Sequence, residues 1–197
     1  MRELINPQLT KQVIIGTKSI SRRKIFKMMN LKFQYRSPNI NEKKVKNLNN
    51  DKYDALKIAR TKAEHLSKKY RNRVIVTFDT TILYKKRTIF KCDTEDCCKK
   101  TLKLFNNSSH MLYTGMIFMI NSNLIRSKLT ETKVIFKSIR HADINKYVKK
   151  NIQQVSSSVG CYNIEGNGKK FFKNIESSYY NVIGVNIISF LRTLGNI

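Results

Sequence analysis

Residues 73–78 read R-V-I-V-T-F, an apolar run with almost no polar interruption. A strand that buries one face alternates apolar with polar residues. A near-continuous apolar run belongs at the centre of a mixed sheet covered on both faces. The neighbouring segments agree. Gln12–Gly16 (Q-V-I-I-G) is a second, short buried-type strand that ends at a glycine. Ser19 can cap a helix running to about Asn30, with Ile25, Phe26 and Met29 as its apolar stripe. Leu31–Tyr35 alternates as a strand, and the polar residues 38–50 read as a loop. Lys52–Tyr70 predicts a long helix carrying Ala55, Leu56, Ala59, Ala63, Leu66 and Tyr70 on one face. A hairpin is predicted between residues 81–84 and 88–90, then a helix over 94–106, two long strands over 111–120 and 124–136, and a helix over 141–151. A glycine-punctuated stretch (Gly160, Gly166, Gly168) precedes a closing helix over 181–194. This alternation predicts an α/β fold with an antiparallel portion. It forms a single domain over residues 13–195, with residues 1–12 as an N-terminal extension.

The chain is 41% hydrophobic over 197 residues, enough for a packed core and too much for a disordered polyelectrolyte. Its best apolar run, Met111–Ile120, falls well short of the roughly 20 residues that span a bilayer. The N-terminus lacks the pattern of a secretory signal, so the expectation is a cytoplasmic protein with no membrane contact. The four cysteines (Cys92, Cys97, Cys98, Cys161) do not show zinc-knuckle spacing and read as reduced thiols. Lys and Arg number 39 against 13 Asp and Glu, a net charge of +26. The basic excess is spread along the chain rather than gathered in a tail. Such a charge invites a nucleic-acid partner, but a bias toward Lys, Ile and Asn accounts for it without one. A triphosphate substrate would also profit from the field.

A few polar residues stand where a purely structural chain would not need them. Asp79 directly follows the apolar strand, at the end where α/β sheets bind ligands, and is a candidate metal ligand or general base; a surface-turn aspartate is the bland alternative. Arg22 shares a helix face with Ile25 and Phe26, one turn from the helix N-terminus, where the dipole and free N–H groups favour an anion. Lys62 lies between Ile58 and Leu66, inside the apolar stripe of its helix. Either cation could instead snorkel from the core edge. Glu42, in a lysine-rich loop, is a second candidate metal-binding carboxylate or an ordinary solvated charge. No P-loop, zinc-spaced histidine pair or Gly-x-Ser-x-Gly elbow is present. Tyr179 and Tyr180 could stack on a base or pack a helix entrance.

Taken in order, these residues resemble the Maf family of nucleoside triphosphate pyrophosphatases. Residues 14–26 (I-I-G-T-K-S-I-S-R-R-K-I-F) resemble the family's L-A-S-x-S-P-R-R-x-E-L-L, and 39–42 (N-I-N-E) its D-I-D-E. Residues 58–63 (I-A-R-T-K-A) match L-A-x-x-K-A, and Phe78-Asp79-Thr80 stands for A-D-T. Lys91 stands for the lysine of G-K-P, and Tyr113-Thr114-Gly115 for Y-T-G. Residues 160–168 (G-C-Y-N-I-E-G-N-G) resemble G-x-Y-x-I-Q-G-x-G, and 180–185 (Y-N-V-I-G-V) resemble S-N-V-x-G-L. The resemblance implies a Maf/ITPase-like fold, a mixed central sheet flanked by helices beside a deep substrate cleft. It also implies attack of water on the α-phosphate of a nucleoside triphosphate, assisted by a divalent cation, Mg²⁺ or Mn²⁺. Carried over by position, Asp79 is the catalytic base or metal ligand and Glu42 a helper carboxylate. Arg22, Lys62 and Lys91 become phosphate clamps, with Ser19 and Thr17 lining the phosphate pocket. A homodimer is carried as an open expectation, since the residues do not fix the assembly.

Departures from the pattern bear on the base. The family prolines after Ser19 and Lys91 are replaced by Ile20 and Cys92, and the first arginine of the double-arginine motif is Ser21. The family aspartate ahead of Gly160 gives way to Ser157 or Ser158. The dTTP/UTP branch tends to have arginine at position 21, threonine at 80 and glutamine at 165, while the 7-methyl-GTP branch carries glutamate at 165. With Ser21, Thr80 and Glu165 the chain is mixed, and the reading leans to dTTP and UTP, with 7-methyl-GTP as the alternative. A glutamate only accepts hydrogen bonds and suits guanine, whereas a glutamine both donates and accepts. An alternative from another class is a non-catalytic basic protein on a decayed scaffold, binding nucleic acid or a division partner.

Overall fold

The computed structural model describes residues 7–45 and 48–197. Residues 1–6 of the expected extension, and residues 46–47 of the expected loop, lie outside the described residues. A short helix α1 (Pro7–Gln12) leads into β1 (Val13–Gly16), α2 (Ile20–Met28), β2 (Gln34–Arg36), α3 (Asp54–Lys69) and β3 (Val74–Tyr84). After these come β4 (Arg87–Ile89), α4 (Glu95–Phe105), β5 (Ser109–Ile120), β6 (Asn123–Phe136) and α5 (His141–Val155). The chain closes with β7 (Phe172–Glu176), α6 (Tyr179–Ile183) and α7 (Ile187–Leu194).

The strands form one mixed sheet in the order β2-β1-β3-β5-β6-β7, with β4 added beside β3. β1 pairs in parallel with β2 and β3; the other pairings are antiparallel. One face buries Phe26, Phe33, Phe78, Phe118 and Phe190 under α2 and α7. The other carries Ile14, Ile75, Ile117 and Met119 against Ala59, Ala63 and Leu66 of α3. A third cluster around Phe105, Phe136, Tyr162 and Phe171 fills the space beneath α4 and α5. The apolar run at 74–78 is central and buried, as its composition demands.

The structure corrects several boundaries. The strand expected to end at Phe78 and the hairpin arm at 81–84 are one strand, β3, and Asp79 lies within it. The reason is unequal partners. β1 stops at Gly16 opposite Thr77, whereas β5 runs beside β3 from Ile75↔Met119 to Leu83↔Met111 and keeps the ladder going past Asp79. The single closing helix is two, broken at Gly184, whose φ of 96° is a left-handed conformation that glycine adopts freely. Asn186 then caps α7 by accepting from the Ser189 N–H at 3.0 Å. Asn151, expected to end a helix, instead kinks α5, and its side chain donates to the Tyr147 carbonyl.

The cysteines are not all reduced thiols. Cys92 and Cys97 are joined in a disulfide across a Cα–Cα distance of 5.4 Å, while Cys98 and Cys161 are free and buried. The spacing in the sequence does not reveal this pair, because the segment leaving β4 folds back onto the first turn of α4. No described helix is long and apolar enough to cross a membrane.

Candidate active site

Side chains alternate faces along a strand, so Ile75, Thr77 and Asp79 of β3 point together toward α3. Thr77 donates to the Ala59 carbonyl at 2.6 Å, and one turn further along α3 Lys62 meets Asp79, Nζ to Oδ1, at 2.5 Å. Both residues of this pair are buried, Lys62 at 5% and Asp79 at 5% exposure. Glu42, at the start of a single 3-10 turn (Glu42–Lys44), reaches the same Lys62 Nζ with Oε1 at 2.6 Å and Lys91 Nζ with Oε2 at 3.5 Å. Four residues from four segments therefore form one acid–base cluster: Asp79, Lys62, Glu42 and, at the exposed end, Lys91.

The two carboxylates titrate apart. Burial would raise Glu42, but Lys62 and then Lys91 outweigh it and bring the group down to about 2. Asp79 goes the other way. Burial pushes its carboxyl up, with Lys62 opposing and the Glu42 charge adding to the rise. One carboxylate is thus held ionised while its neighbour is drawn toward a proton, a division suited to acid–base work.

Arg22 occupies the other face of β3. Past the end of β1 the Phe78 carbonyl has lost its parallel partner, and Arg22 Nη1 donates to it at 3.2 Å. Nε donates to the Gly184 carbonyl at 3.0 Å and Nη2 to Thr80 Oγ1 at 3.0 Å. Thr80 Oγ1 lies 3.1 Å from Thr114 Oγ1, which donates to the Asn181 carbonyl at 3.1 Å. A Cβ on Gly184 would stand 2.6 Å from Arg22 Nη2 and 2.6 Å from Thr80 Oγ1, so a glycine is needed there for space as well as for φ. Arg22 ties β3 to the α6–α7 turn with three of its N–H groups, leaving N–H groups on both Nη atoms.

Two adjoining cavities, about 870 and 460 Å³, run along this region and share Ser19, Ser21, Arg22, Lys91 and Ser157 in their walls. The larger is bordered by Thr17, Glu42 and Lys62, the smaller by Asp79, Thr80 and Glu165. Ser19 caps α2, accepting from the Arg22 N–H at 3.3 Å, and its own N–H donates to Thr17 Oγ1 at 3.1 Å. Glu165 is exposed at the rim, its backbone N–H held by Asn163 Oδ1 at 3.0 Å. All the sequence-predicted residues thus gather around one groove. Tyr179 and Tyr180 remain exposed rather than packed.

Sequence reasoning missed the supports. Thr114, Asn181 and Gly184 hold Arg22 and Thr80, and nothing local to them says so. It also missed Asp54, fully buried, which accepts from the Asn49 N–H at 3.0 Å, the Asp51 N–H at 3.3 Å and Thr88 Oγ1 at 3.2 Å, and so pins the start of α3. An aspartate opening a helix was the one available signal.

A divalent cation has donors here. Asp79 Oδ1 and Glu42 Oε1 already converge on one positive charge, the Lys62 ammonium, and both are hard oxygens. Two carboxylates completed by phosphate oxygens and water suit Mg²⁺ or Mn²⁺.

A mixed-sheet α/β scaffold carrying a buried carboxylate–lysine cluster in a cationic groove is that of an enzyme acting on an anionic substrate. The sequence profile described as Maf-like protein matches residues 12–197, and the chain belongs to that family. It is 28% identical over 184 residues to a dTTP/UTP pyrophosphatase of Carboxydothermus hydrogenoformans, covering 93% of this chain and 97% of that protein. Proteins of the same description from Bacillus cereus (24% identity, 93% and 94% covered) and Dictyoglomus thermophilum (24%, 95% and 98% covered) are similarly related.

Proposed function

We propose that the protein is a nucleoside triphosphate pyrophosphatase, converting a triphosphate to its monophosphate and pyrophosphate, with dTTP and UTP as preferred substrates. The observation that carries this reading is the Asp79–Lys62–Glu42 cluster, its Asp79–Lys62 pair buried, at the wall of a cation-bordered groove. Full-length relatives described as dTTP/UTP pyrophosphatases support it.

The chemistry follows from the charges. Asp79, its carboxyl raised by burial, takes the proton of a water whose oxygen bonds to the α-phosphorus while the bond to the bridging oxygen breaks and pyrophosphate leaves. Lys62 and Lys91 offset the charge gathering on the phosphate oxygens. Ser19 and Thr17 line the phosphate end, and Arg22, which borders the same groove, has N–H groups left to offer a phosphate oxygen. A divalent cation held by Asp79 and Glu42 would neutralise and orient the triphosphate. The base then falls in the smaller cavity, beside Thr80 and Glu165. A cytoplasmic role in clearing the nucleotide pool fits this activity.

The test is pyrophosphate release from a panel of triphosphates with Mg²⁺ or Mn²⁺; failure with every one overturns the reading. Glu165 decides the base. A carboxylate opposite a uracil carbonyl sets two acceptors face to face, and once the bound base covers the exposed Glu165 an unpaired polar group there costs about 1–3 kcal/mol. Glu165→Gln is expected to shift the kcat/KM ratio toward UTP over 7-methyl-GTP by about ten- to a hundredfold. Competition between the two nucleotides in one tube reads it. An unchanged ratio would show that Glu165 does not touch the base.

A further inference from the structure

Three of the four cysteines of this cysteine-poor chain meet at one place, although they come from three separate segments, and the fourth is bonded to one of them. Cys92 follows β4, Cys97 and Cys98 lie in the first turns of α4, and Cys161 sits in the loop after α5. The sulfurs of Cys92, Cys98 and Cys161 lie within 4.8 Å of one another, and all three residues are buried. Cys97 is exposed and bonded to Cys92, so the fourth sulfur is tethered to the cluster on its solvent side. Cys92 Sγ also lies 3.3 Å from Thr101 Oγ1, a hydroxyl able to donate to a thiolate. None of these groups takes part in the phosphate chemistry. Buried cysteines that serve only as small apolar side chains have no reason to seek one another.

We propose that, once the Cys92–Cys97 bond is reduced, Cys92, Cys97, Cys98 and Cys161 form a thiolate site for Zn²⁺. Sulfur-only donors select a thiophilic d¹⁰ cation over the hard cations that suit the carboxylates of the groove. Tetrahedral bonds of about 2.3 Å place thiolates about 3.8 Å apart. The three buried sulfurs, within 4.8 Å of one another, therefore need to close by at most about 1 Å, and Cys97, once released from Cys92, swings in as the fourth ligand. The chemistry balances. A dithiol supplies two electrons and two protons to the Cys92–Cys97 bond and itself becomes a disulfide. The four thiols then release their protons to solvent as four sulfur–zinc bonds form. Exposed Cys97 gives both the reductant and the ion a way into an otherwise interior cluster. The bound ion ties the segment after β4, helix α4 and the loop after α5 at a point directly behind Lys91.

The experiment uses the full chain, reduced with a water-soluble phosphine or left oxidised, and titrated with Cd²⁺ as a spectroscopic substitute for Zn²⁺. The reduced chain is expected to develop a saturable sulfur-to-metal ultraviolet band at one ion per chain. The oxidised chain, with two of its sulfurs tied together, is expected to show no such band. Each of Cys161→Ser, Cys98→Ser and Cys97→Ser removes one ligand in four and should weaken the band by about a quarter, and the double variant Cys98→Ser/Cys161→Ser, left with two sulfurs, should abolish it. Zn²⁺ should displace Cd²⁺ and raise the Tm of the reduced wild type but not of the double variant. Absence of a band in the reduced wild type, or equal bands in the reduced and oxidised chains, overturns the proposal without reference to any variant's folding. Cd²⁺ held by Glu42 and Asp79 gives no sulfur band, so uptake in the groove is not mistaken for this site.

Discussion

Lys62 is shared between two carboxylates, and their burial difference assigns the roles: Glu42 stays ionised, Asp79 is drawn toward a proton. Asp79→Asn is isosteric and keeps a hydrogen-bonding group on Lys62, so the fold should persist. It can neither accept a proton from water nor hold a cation comparably, and kcat is expected to fall by about 10²–10⁴. Turnover near that of the wild type would end the assignment. Arg22 makes a different prediction because its N–H groups already serve the protein. Arg22→Ala leaves the Gly184 and Phe78 carbonyls without this donor in a partly buried site, at a cost of about 1–3 kcal/mol for a stranded group. Urea unfolding should show that loss, together with weaker catalysis. Arg22→Lys should restore little, since a single ammonium cannot reproduce three divergent N–H bonds. Wild-type stability in Arg22→Ala, with only KM raised, would make Arg22 a phosphate clamp and nothing more.

At the scale of elements, the placement of Lys62 depends on how closely α3 lies on the sheet. Gly115 of β5, opposite Asp79 in the ladder, allows that approach: a Cβ there would stand 2.6 Å from the Ala55 carbonyl oxygen, a backbone atom of α3. Gly115→Ala must therefore push the helix outward rather than rotate a side chain. We expect destabilisation of about 1–3 kcal/mol and a loss of kcat as Lys62 is drawn from Asp79, read by denaturant midpoint and pyrophosphate release. Wild-type values of both would show that α3 can shift without disturbing the pair. Most elements were legible because their signals are local. The stripe of α3 and the apolar run of β3 are patterns within a single window, and Ser19 marks the start of α2. The errors share a cause. β3 runs past Asp79 because of what β5 does, and the closing helix breaks at a left-handed Gly184 where Arg22 and Thr80 leave no room for a Cβ.

The whole molecule carries a net charge of +26 and a stability that depends also on buried groups outside the acid–base cluster. His110 lies in the third core cluster region, stacked on Phe105 and 3.0 Å from the Tyr162 hydroxyl. Burial depresses its pKa from 6.5 to about 3. Between those values the unfolded chain binds a proton that the native state refuses, so stability is full above about 6.5 and is lost as pH falls, by about 1.4 kcal/mol per unit inside the window. Glu42 adds a loss of the same sign only below its ordinary 4.5, extending toward 2. Denaturant midpoints at pH 7, 6 and 5 should fall, and His110→Gln should flatten the fall between pH 6 and 5. An unchanged slope in that variant would locate the proton uptake elsewhere. The amino-acid sequence by itself determined the α/β class, the central strand and the identity of Asp79, Glu42, Lys62 and Arg22 as polar residues out of place, because periodicity and solvation act residue by residue along the chain. Only the tertiary structure decided that Arg22 reaches Gly184, that Asp54 reaches Thr88, and that Cys92, Cys98 and Cys161 share one point. Arg22 to Gly184, Asp54 to Thr88 and Cys92 to Cys161 all join segments far apart in the chain. They are set by sheet order and by the packing of helices on the sheet, which no local pattern encodes.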